Sequence, residues 1–228
     1  SAEYDSKIFN VSAKETNIGD VFFKTDGTKM YVVGLASDAV HEYDLSTAWD
    51  VSTSSFNQTL SVSAQEGNPQ GLFFRSDGLK MYICGSTGDE VNEFTLSTAW
   101  DISTASFVQS FSVSSQDTAP NGLFFKSDGT KMYIAGDAGD DVNEYALSTA
   151  WDISTASFSH SFSVSSQETN IMGVSFKPDG LSMYICGSAG DAVVEYSLST
   201  AWDVSSATYV QSFSVSAQDS GPKGLFFK

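Results

Sequence analysis

The hexapeptide Leu45-Ser46-Thr47-Ala48-Trp49-Asp50 recurs at residues 96–101, 147–152 and 198–203, each time 51 residues further along the chain. A fixed period near fifty residues indicates an array of supersecondary units. We therefore predict one quasi-symmetric body over residues 1–228, with repeats at about 20–70, 71–121, 122–172 and 173–223 and partial strands at 1–19 and 224–228. The same spacing separates the Asp-Gly pairs that begin at Asp26, Asp77, Asp128 and Asp179.

One repeat shows how the chain folds locally. In residues 71–121, apolar runs alternate with turn residues, and Asp77-Gly78 supplies a glycine where a tight turn needs positive φ. No stretch has helical periodicity, and the runs predict four antiparallel strands. These strands are expected at Gly71–Arg75, Lys80–Cys84, Glu90–Leu96 and Phe107–Ser114.

The faces of the predicted strands indicate the architecture. Met81 and Ile83 point to one side of the second strand, Tyr82 and Cys84 to the other, so both faces of each small sheet must be covered. The fourth strand alternates apolar and serine residues, as an exposed edge does. We predict an all-β fold, a β-propeller with four full four-stranded blades and a split, incomplete blade. A parallel β-helix is the alternative, although its rungs are shorter and rarely need Asp-Gly hairpins.

Two segments carry a resemblance to a known repeat. Phe125-Lys-Ser-Asp-Gly-Thr-Lys-Met-Tyr-Ile134 and Phe176-Lys-Pro-Asp-Gly-Leu-Ser-Met-Tyr-Ile185 resemble the F-x-P-D-G-x-x-x-Y-V signature of YVTN-type, lactonase-like β-propeller repeats. The resemblance covers the first half of every unit and implies the propeller fold. It does not select an activity, because this repeat family includes enzymes, surface proteins and binding scaffolds.

The composition limits the partners. The net charge is −17, from 28 acidic and 11 basic residues, which disfavours nucleic acid and anionic membrane surfaces. No apolar run approaches the ~20 residues that span a bilayer, so no membrane insertion is expected. Glycans, protein surfaces and cations fit the charge better, and we expect an extracellular or particle-surface location. Cys84 and Cys186 share one repeat position with Val33 and Ala135, which predicts buried thiols without a disulfide.

The two ends carry the same half-repeat. Residues 1–24 align with 205–228, which gives an outer strand at about 7–12 and an inner strand at 224–228. The chain is 27 residues short of five repeats of 51, so the fifth blade lacks its two middle strands. We expect a longer array or self-association through this incomplete blade, since open strand edges promote pairing.

The acidic residues recur at fixed repeat positions. Carboxylates and carbonyls of Gly-rich loops could supply the six to eight oxygens that calcium needs. The candidate ligands are Asp89, Asp137, Asp140, Asp141 and Asp191. The alternative is that they are solvated loop acids, and Glu42 with its equivalents is expected to accept hydrogen bonds between blades.

The recurrent tryptophans form the second candidate site. Their indoles could stack on sugar rings while the adjacent aspartates bind hydroxyl groups, and repeated weak sites would gain avidity. The alternative is that each indole packs over the end of its blade. The residues are Trp49, Trp100, Trp151, Trp202, Asp50, Asp101, Asp152 and Asp203.

The sequence shows no catalytic motif. His41 and His160 fall at different repeat phases, and no nucleophile elbow, H-E-x-x-H pair or phosphate-binding loop occurs. We therefore predict a non-enzymatic binding or structural scaffold. The alternative is a metal-dependent lactonase-like hydrolase, since lactonase-like propellers use Glu, Asn and Asp around a metal and Glu66, Asn68 and Asp89 resemble that set in type.

Overall fold

The computed structural model describes residues 6–227 and has four antiparallel four-stranded blades, as predicted. Strands β1–β4 form blade 1, β5–β8 blade 2, β9–β12 blade 3 and β13–β16 blade 4, each ordered from the axis outwards. The inner strands β1, β5, β9 and β13 are Ile18–Phe23, Pro69–Phe74, Pro120–Phe125 and Ile171–Phe176. The second strands β2, β6, β10 and β14 are Lys29–Gly34, Lys80–Gly85, Lys131–Gly136 and Ser182–Gly187.

The outer halves of the blades contain the third and fourth strands. The third strands β3, β7, β11 and β15 are Ala39–Leu45, Glu90–Leu96, Asp141–Leu147 and Ala192–Leu198. The outer strands β4, β8, β12 and β16 are Ser54–Ser61, Ala105–Ser112, Ala156–Ser163 and Ala207–Ser214. Between these strands lies a short 3-10 helix, which the sequence analysis did not predict, at Val51–Thr53, Ile102–Thr104, Ile153–Thr155 and Val204–Ser206.

Glycine and tryptophan together form the turn at one end of each blade. Gly129 has φ of +74°, and a Cβ there would collide with the indole of Trp151. Trp151 itself has φ of 66°, and its N–H donates to the Gly129 carbonyl at 3.0 Å. Only glycine leaves room for this arrangement, which explains the invariant spacing of Asp-Gly and Trp.

The core lies between neighbouring blades. Tyr31 of blade 1 is fully buried against Phe74 of blade 2, with ring centroids 4.5 Å apart. Its hydroxyl donates to the Trp100 carbonyl at 2.7 Å. The same bond joins Tyr82 to Trp151 at 2.7 Å and Tyr133 to Trp202 at 2.8 Å. Each blade is therefore fixed to the next by the same aromatic contacts and the same hydrogen bond.

The predicted terminal strands occupy their expected places but do not form strands. Residues 7–12 and 222–227 have no ladder assignment within the described chain, and Lys228 lies outside it. Residues 222–227 nevertheless fill the fifth inner position, where Phe226 contacts Phe22 at 5.2 Å. The prediction of regular strands here was wrong because the second and third strands that would pair with them are missing.

The thiol prediction is confirmed, since Cys84 and Cys186 are both free and buried. None of the helices in residues 6–227 is long and apolar enough to cross a membrane.

Candidate functional site

A cavity of about 320 Å³ lies on the propeller axis, lined by all four inner strands and by residues 225–227. Phe22, Phe73, Phe124 and Phe226 share one repeat position and form an edge-to-face ring, with successive centroids 5.2–5.5 Å apart. Ser175 takes the remaining position and interrupts the ring. The axis is thus largely apolar but not symmetric, and its opening beside Ser175 could admit part of a small ligand.

Asp20 breaks the symmetry at one end of this cavity. The equivalent position is glycine in every other inner segment, at Gly71, Gly122, Gly173 and Gly224. The carboxylate accepts from Val21 N at 2.8 Å and Leu72 N at 3.2 Å. Burial raises the pKa of Asp20 to about 7, although these hydrogen bonds oppose the rise. A carboxyl group with such a pKa can take and return a proton near neutral pH.

The hydroxyl groups of the cavity lie at its other end. Thr25, Ser76 and Ser127 follow the inner strands and line the cavity together with Ser175. Asp20 is near the start of β1 and Thr25 lies beyond its end, so the polar groups are about five residues apart along a strand, or ~16 Å. A ligand could therefore meet the carboxylate at one end and hydroxyl groups at the other.

A second cavity, which we call the terminal slot, lies on the other side of Asp20. Its volume is about 810 Å³, and it lies between residues 8–18, residues 219–224 and the side of blade 1 that carries Met30 and Val32. Lys223 borders it and donates to Asn17 Oδ1 at 3.1 Å. The slot is the space that the two missing strands of the fifth blade would fill.

The tryptophans predicted to bind ligand have extensive contacts within the protein. Trp100 and Trp202 are buried, and Trp49 and Trp151 are partly buried. Trp100 stacks on Phe74 at 5.6 Å, and Trp49 stacks on Phe226 at 6.1 Å. These contacts explain the repetition of Trp by packing; contact with a glycan stays a prediction.

The neighbouring aspartates cap the 3-10 helices. Each accepts from the backbone N–H two residues later, at 3.0–3.1 Å. Asp101 and Asp152 also accept at 2.8 Å from Gln58 and Gln109 of the preceding blade. Asp50 instead pairs with Lys7 at 3.2 Å. The four aspartates, at 50, 101, 152 and 203, lie one per blade, so the structure does not bring them together.

The predicted calcium ligands lie in the loops after the second strands. Asp89, Asp140 and Asp191 have φ of 51°, 49° and 47°, and their carbonyls accept from Val113, Val164 and Val215 at 2.8 Å. Asp137, Asp140 and Asp141 share one loop, where burial, followed by Asp117, raises the pKa of Asp141 to about 6. No three His, Cys, Asp or Glu side chains within residues 6–227 are grouped so as to hold a metal.

The acidic residues before each inner strand are buried, so the interpretation as solvated loop acids was wrong for them. Glu168 is 1% exposed and accepts from the backbone N–H of Asn170, Ala189 and Gly190 at 2.9–3.0 Å. Burial alone would raise the pKa of the equivalent Glu15, but hydrogen bonds from Ser37 and nearby backbone amides lower it. These carboxylates fix one loop of each blade to the next.

The set that resembled a lactonase metal site is already occupied by such contacts. Glu66 accepts from Asn68 N at 2.8 Å and Thr87 N at 3.0 Å, and Asn68 Nδ2 donates to Ser86 Oγ at 2.5 Å. Asp89 is a turn residue of the same blade. Because their ligand atoms already bond the backbone and a serine, these residues do not fit a metal centre.

Glu42 and its equivalents do act between blades, as expected. Glu42 accepts from Ile102 N at 3.3 Å, and Glu144 accepts from Val204 N at 3.1 Å. Each also pairs with the lysine of its own second strand, Lys29 and Lys131. The sequence analysis missed Asp20, although a signal was available, since this residue is the one departure from glycine at its repeat position.

Comparison with known proteins gives structural but not sequence matches. No protein-family model matches the sequence, and no curated protein matches it. A candidate 6-phosphogluconolactonase from Bacteroides fragilis superposes with a TM-score of 0.59 at 15% identity, covering 87% of this chain and 55% of that one. The periplasmic gluconolactonase of Pseudomonas aeruginosa gives 0.51 at 18% identity, covering 86% and 53%. Hydrazine synthase of Kuenenia stuttgartiensis gives 0.55 at 15%, covering 90% and 52%.

These neighbours correct the prediction of a non-enzymatic scaffold. Three of the first four solved structures are named as lactonases, which favours the alternative of a lactonase-like hydrolase. This chain spans slightly more than half the length of those proteins, and identities below 20% establish the fold alone. What the comparisons show is that this chain has the β-propeller fold of the lactonase-like proteins.

Proposed function

We propose that this chain is the body of a lactonase-like hydrolase that opens a sugar-acid lactone in the axial cavity. The observation that carries the proposal is Asp20, the single carboxyl group in a ring of glycines around the axis. The structural likeness to named lactonases supports the reaction class. An enzyme needs differentiated groups at its site, and Asp20 and Ser175 are where the repeats differ at the axis.

The cavity supplies two kinds of contact for such a substrate. The phenylalanine ring can pack against the apolar faces of a small lactone ring, and the volume of about 320 Å³ is enough for a monosaccharide. The hydroxyl groups of Thr25, Ser76 and Ser127 can hydrogen-bond to those of the sugar. Asp20 then lies at the end where water can attack.

Asp20 acts as a general base in this proposal. Its ionised carboxylate takes a proton from water while the water oxygen bonds to the lactone carbonyl carbon. Collapse of the tetrahedral intermediate breaks the bond to the ring oxygen, and Asp20 returns the proton to that oxygen. The product is a hydroxy acid, which ionises to a carboxylate and releases one proton to solvent. A base with a pKa near 7 contributes ~10²–10⁴-fold to such a step.

The test is hydrolysis of D-glucono-1,5-lactone and its 6-phosphate, followed by proton release with spontaneous hydrolysis subtracted. We expect wild-type activity to rise as pH increases through about 7, and Asp20→Asn to lose at least ~100-fold in kcat/KM. Asp141→Asn is the control, because its pKa is also raised but it lies outside the cavity. Equal rates for Asp20→Asn and wild type would overturn the proposal.

A further inference from the structure

The terminal slot has the two sides of a normal interface between blades. On one side lies blade 1, whose Met30 and Val32 line the slot. Their equivalents Met81 and Ile83 of blade 2 are fully buried against blade 1. On the other side lies blade 4, which presents the face that blades 1–3 each pack against the next blade. Both sides are therefore shaped for a blade that is only half present.

Blade 4 has lost two bonds that the internal blades make. Tyr31, Tyr82 and Tyr133 are fully buried and each donates to a tryptophan carbonyl of the next blade. Tyr184 is partly exposed and donates to Glu195 of its own blade at 3.0 Å instead. Glu195 is 20% exposed, whereas Glu42 and Glu144 are at most 2% exposed and accept an N–H from the next blade.

The two ends of the chain already form the rest of the fifth blade. On the outer side, Lys7 pairs with Asp50 in the place of Gln58 and Asp101, and Phe9 packs on Tyr43 at 5.3 Å, as Phe111 does on Tyr145. On the inner side, Cys186 Sγ contacts the Lys223 carbonyl at 3.3 Å, as Cys84 contacts that of Pro120. What is missing is the second and third strands.

We propose that the terminal slot binds a β-hairpin of 27 residues with the sequence pattern of residues 76–102. This length is the difference between five repeats of 51 and the 228 residues. In the slot, its Trp carbonyl would accept from Tyr184 and its final Ile N–H would donate to Glu195. Its Glu would accept from Val51 N, as Glu42 accepts from Ile102 N. The hairpin also gives the unpaired backbone of 7–12 and 222–227 its ladder partners.

The experiment adds a fluorescein-labelled peptide of residues 76–102 to the 228-residue protein and follows anisotropy and thermal unfolding. We expect saturable 1:1 binding and a rise in Tm. Tyr184→Phe should weaken binding about 5–10-fold through the lost hydrogen bond. Tyr82→Phe is the matched control: it removes the equivalent bond inside the ring and should leave the peptide affinity unchanged. A peptide with Trp100→Gly and Met81→Asp should not bind.

A peptide that does not fold alone is covered by a second measurement, in which the same 27 residues are fused after Lys228. We expect the fusion to be monomeric and to unfold at a higher temperature than the 228-residue protein. Absence of both peptide binding and stabilisation of the fusion would overturn the proposal. A stable dimer that the peptide does not dissociate would also overturn it, and would assign the slot to a second copy of the chain. Neither result depends on lactone hydrolysis, so this proposal can fail independently of the proposed function.

Discussion

Tyr133 of blade 3 donates its hydroxyl hydrogen to the main-chain carbonyl of Trp202 in blade 4, at 2.8 Å and out of contact with solvent. Lys131 donates to the same carbonyl at 2.7 Å. In blade 1, Tyr31 makes the equivalent bond to Trp100, but Lys29 bonds to Glu42 and Asp44 instead. The carbonyls of successive blades therefore differ in how many donors they have.

We predict that Tyr31→Phe destabilises the protein more than Tyr133→Phe. Removal of Tyr31 leaves the buried Trp100 carbonyl without the hydroxyl, at a cost of ~1–3 kcal/mol in the free energy of unfolding. Lys131 still serves the Trp202 carbonyl after Tyr133→Phe, so that loss should be below ~1 kcal/mol. Urea unfolding followed by fluorescence measures both, and equal losses would contradict this account.

The glycine beneath each indole should not tolerate a side chain. Gly129→Ala places a methyl group in the Trp151 ring at φ of +74°, and we expect a loss of at least ~2 kcal/mol in unfolding free energy. Gly67→Ala is the control, because its Cβ would meet only Thr87 at 3.5 Å and its φ is not positive. Thermal unfolding should separate the two variants; a similar Tm for both would contradict the turn as described.

The buried carboxylates that join the blades should be worth more than their exposed counterpart. Glu168→Gln weakens three bonds from backbone N–H groups, and we expect a loss of ~1–3 kcal/mol. The equivalent Asp219 is exposed and accepts only from Gly221 N at 2.8 Å among the described residues. Asp219→Asn should therefore change stability by less than ~0.5 kcal/mol. Urea midpoints of the two variants provide the comparison.

Asp20 should make the protein less stable as pH rises. Its pKa is about 7 in the folded protein against 3.8 for the free group, so between these values the folded state holds more protons than the unfolded state. Stability then falls from about pH 4 to pH 7, by up to ~4 kcal/mol and by less where water screens the carboxylate. Asp20→Asn should remove this part of the slope, and unfolding at pH 5 and pH 8 tests it. An unchanged slope would refute the raised pKa.

The two thiols should be unreactive until the protein unfolds. Burial raises the pKa of Cys84 and Cys186, so little thiolate forms and neither sulfur is exposed to reagent. We expect DTNB to react with no thiol in the folded protein at pH 8 and with two in urea. Fast reaction of one thiol in buffer would show local opening near that residue, most simply at Cys186 beside residues 222–227.

The blades could be predicted from the sequence because the repeat marks every turn and both faces of each strand. The positive φ of Trp151 and the 3-10 helix after it could not be predicted, since they depend on an indole that packs on the glycine of its own blade. The burial of Glu168 was also missed. An acidic residue in a polar loop looks solvated until the fold brings three backbone N–H groups around it.

The candidate site was missed for a different reason. The repetition drew attention to positions that are identical, such as Trp49 and Asp50, whereas the axis is distinguished by positions that differ. Asp20 among glycines and Ser175 among phenylalanines were visible in the aligned repeats. What the sequence could not show is that both positions line one cavity, since this depends on how the inner strands converge.

The identity of the contacts between blades also bears on how such a chain can change in evolution. Duplication or loss of one 51-residue unit would conserve every Tyr–Trp bond, because each unit brings its own tyrosine and its own tryptophan. A ring could therefore gain or lose a blade in one genetic event without new interfaces. Asp20 would not multiply with it unless its own unit were copied, so the number of blades and the number of axial carboxyl groups can evolve separately.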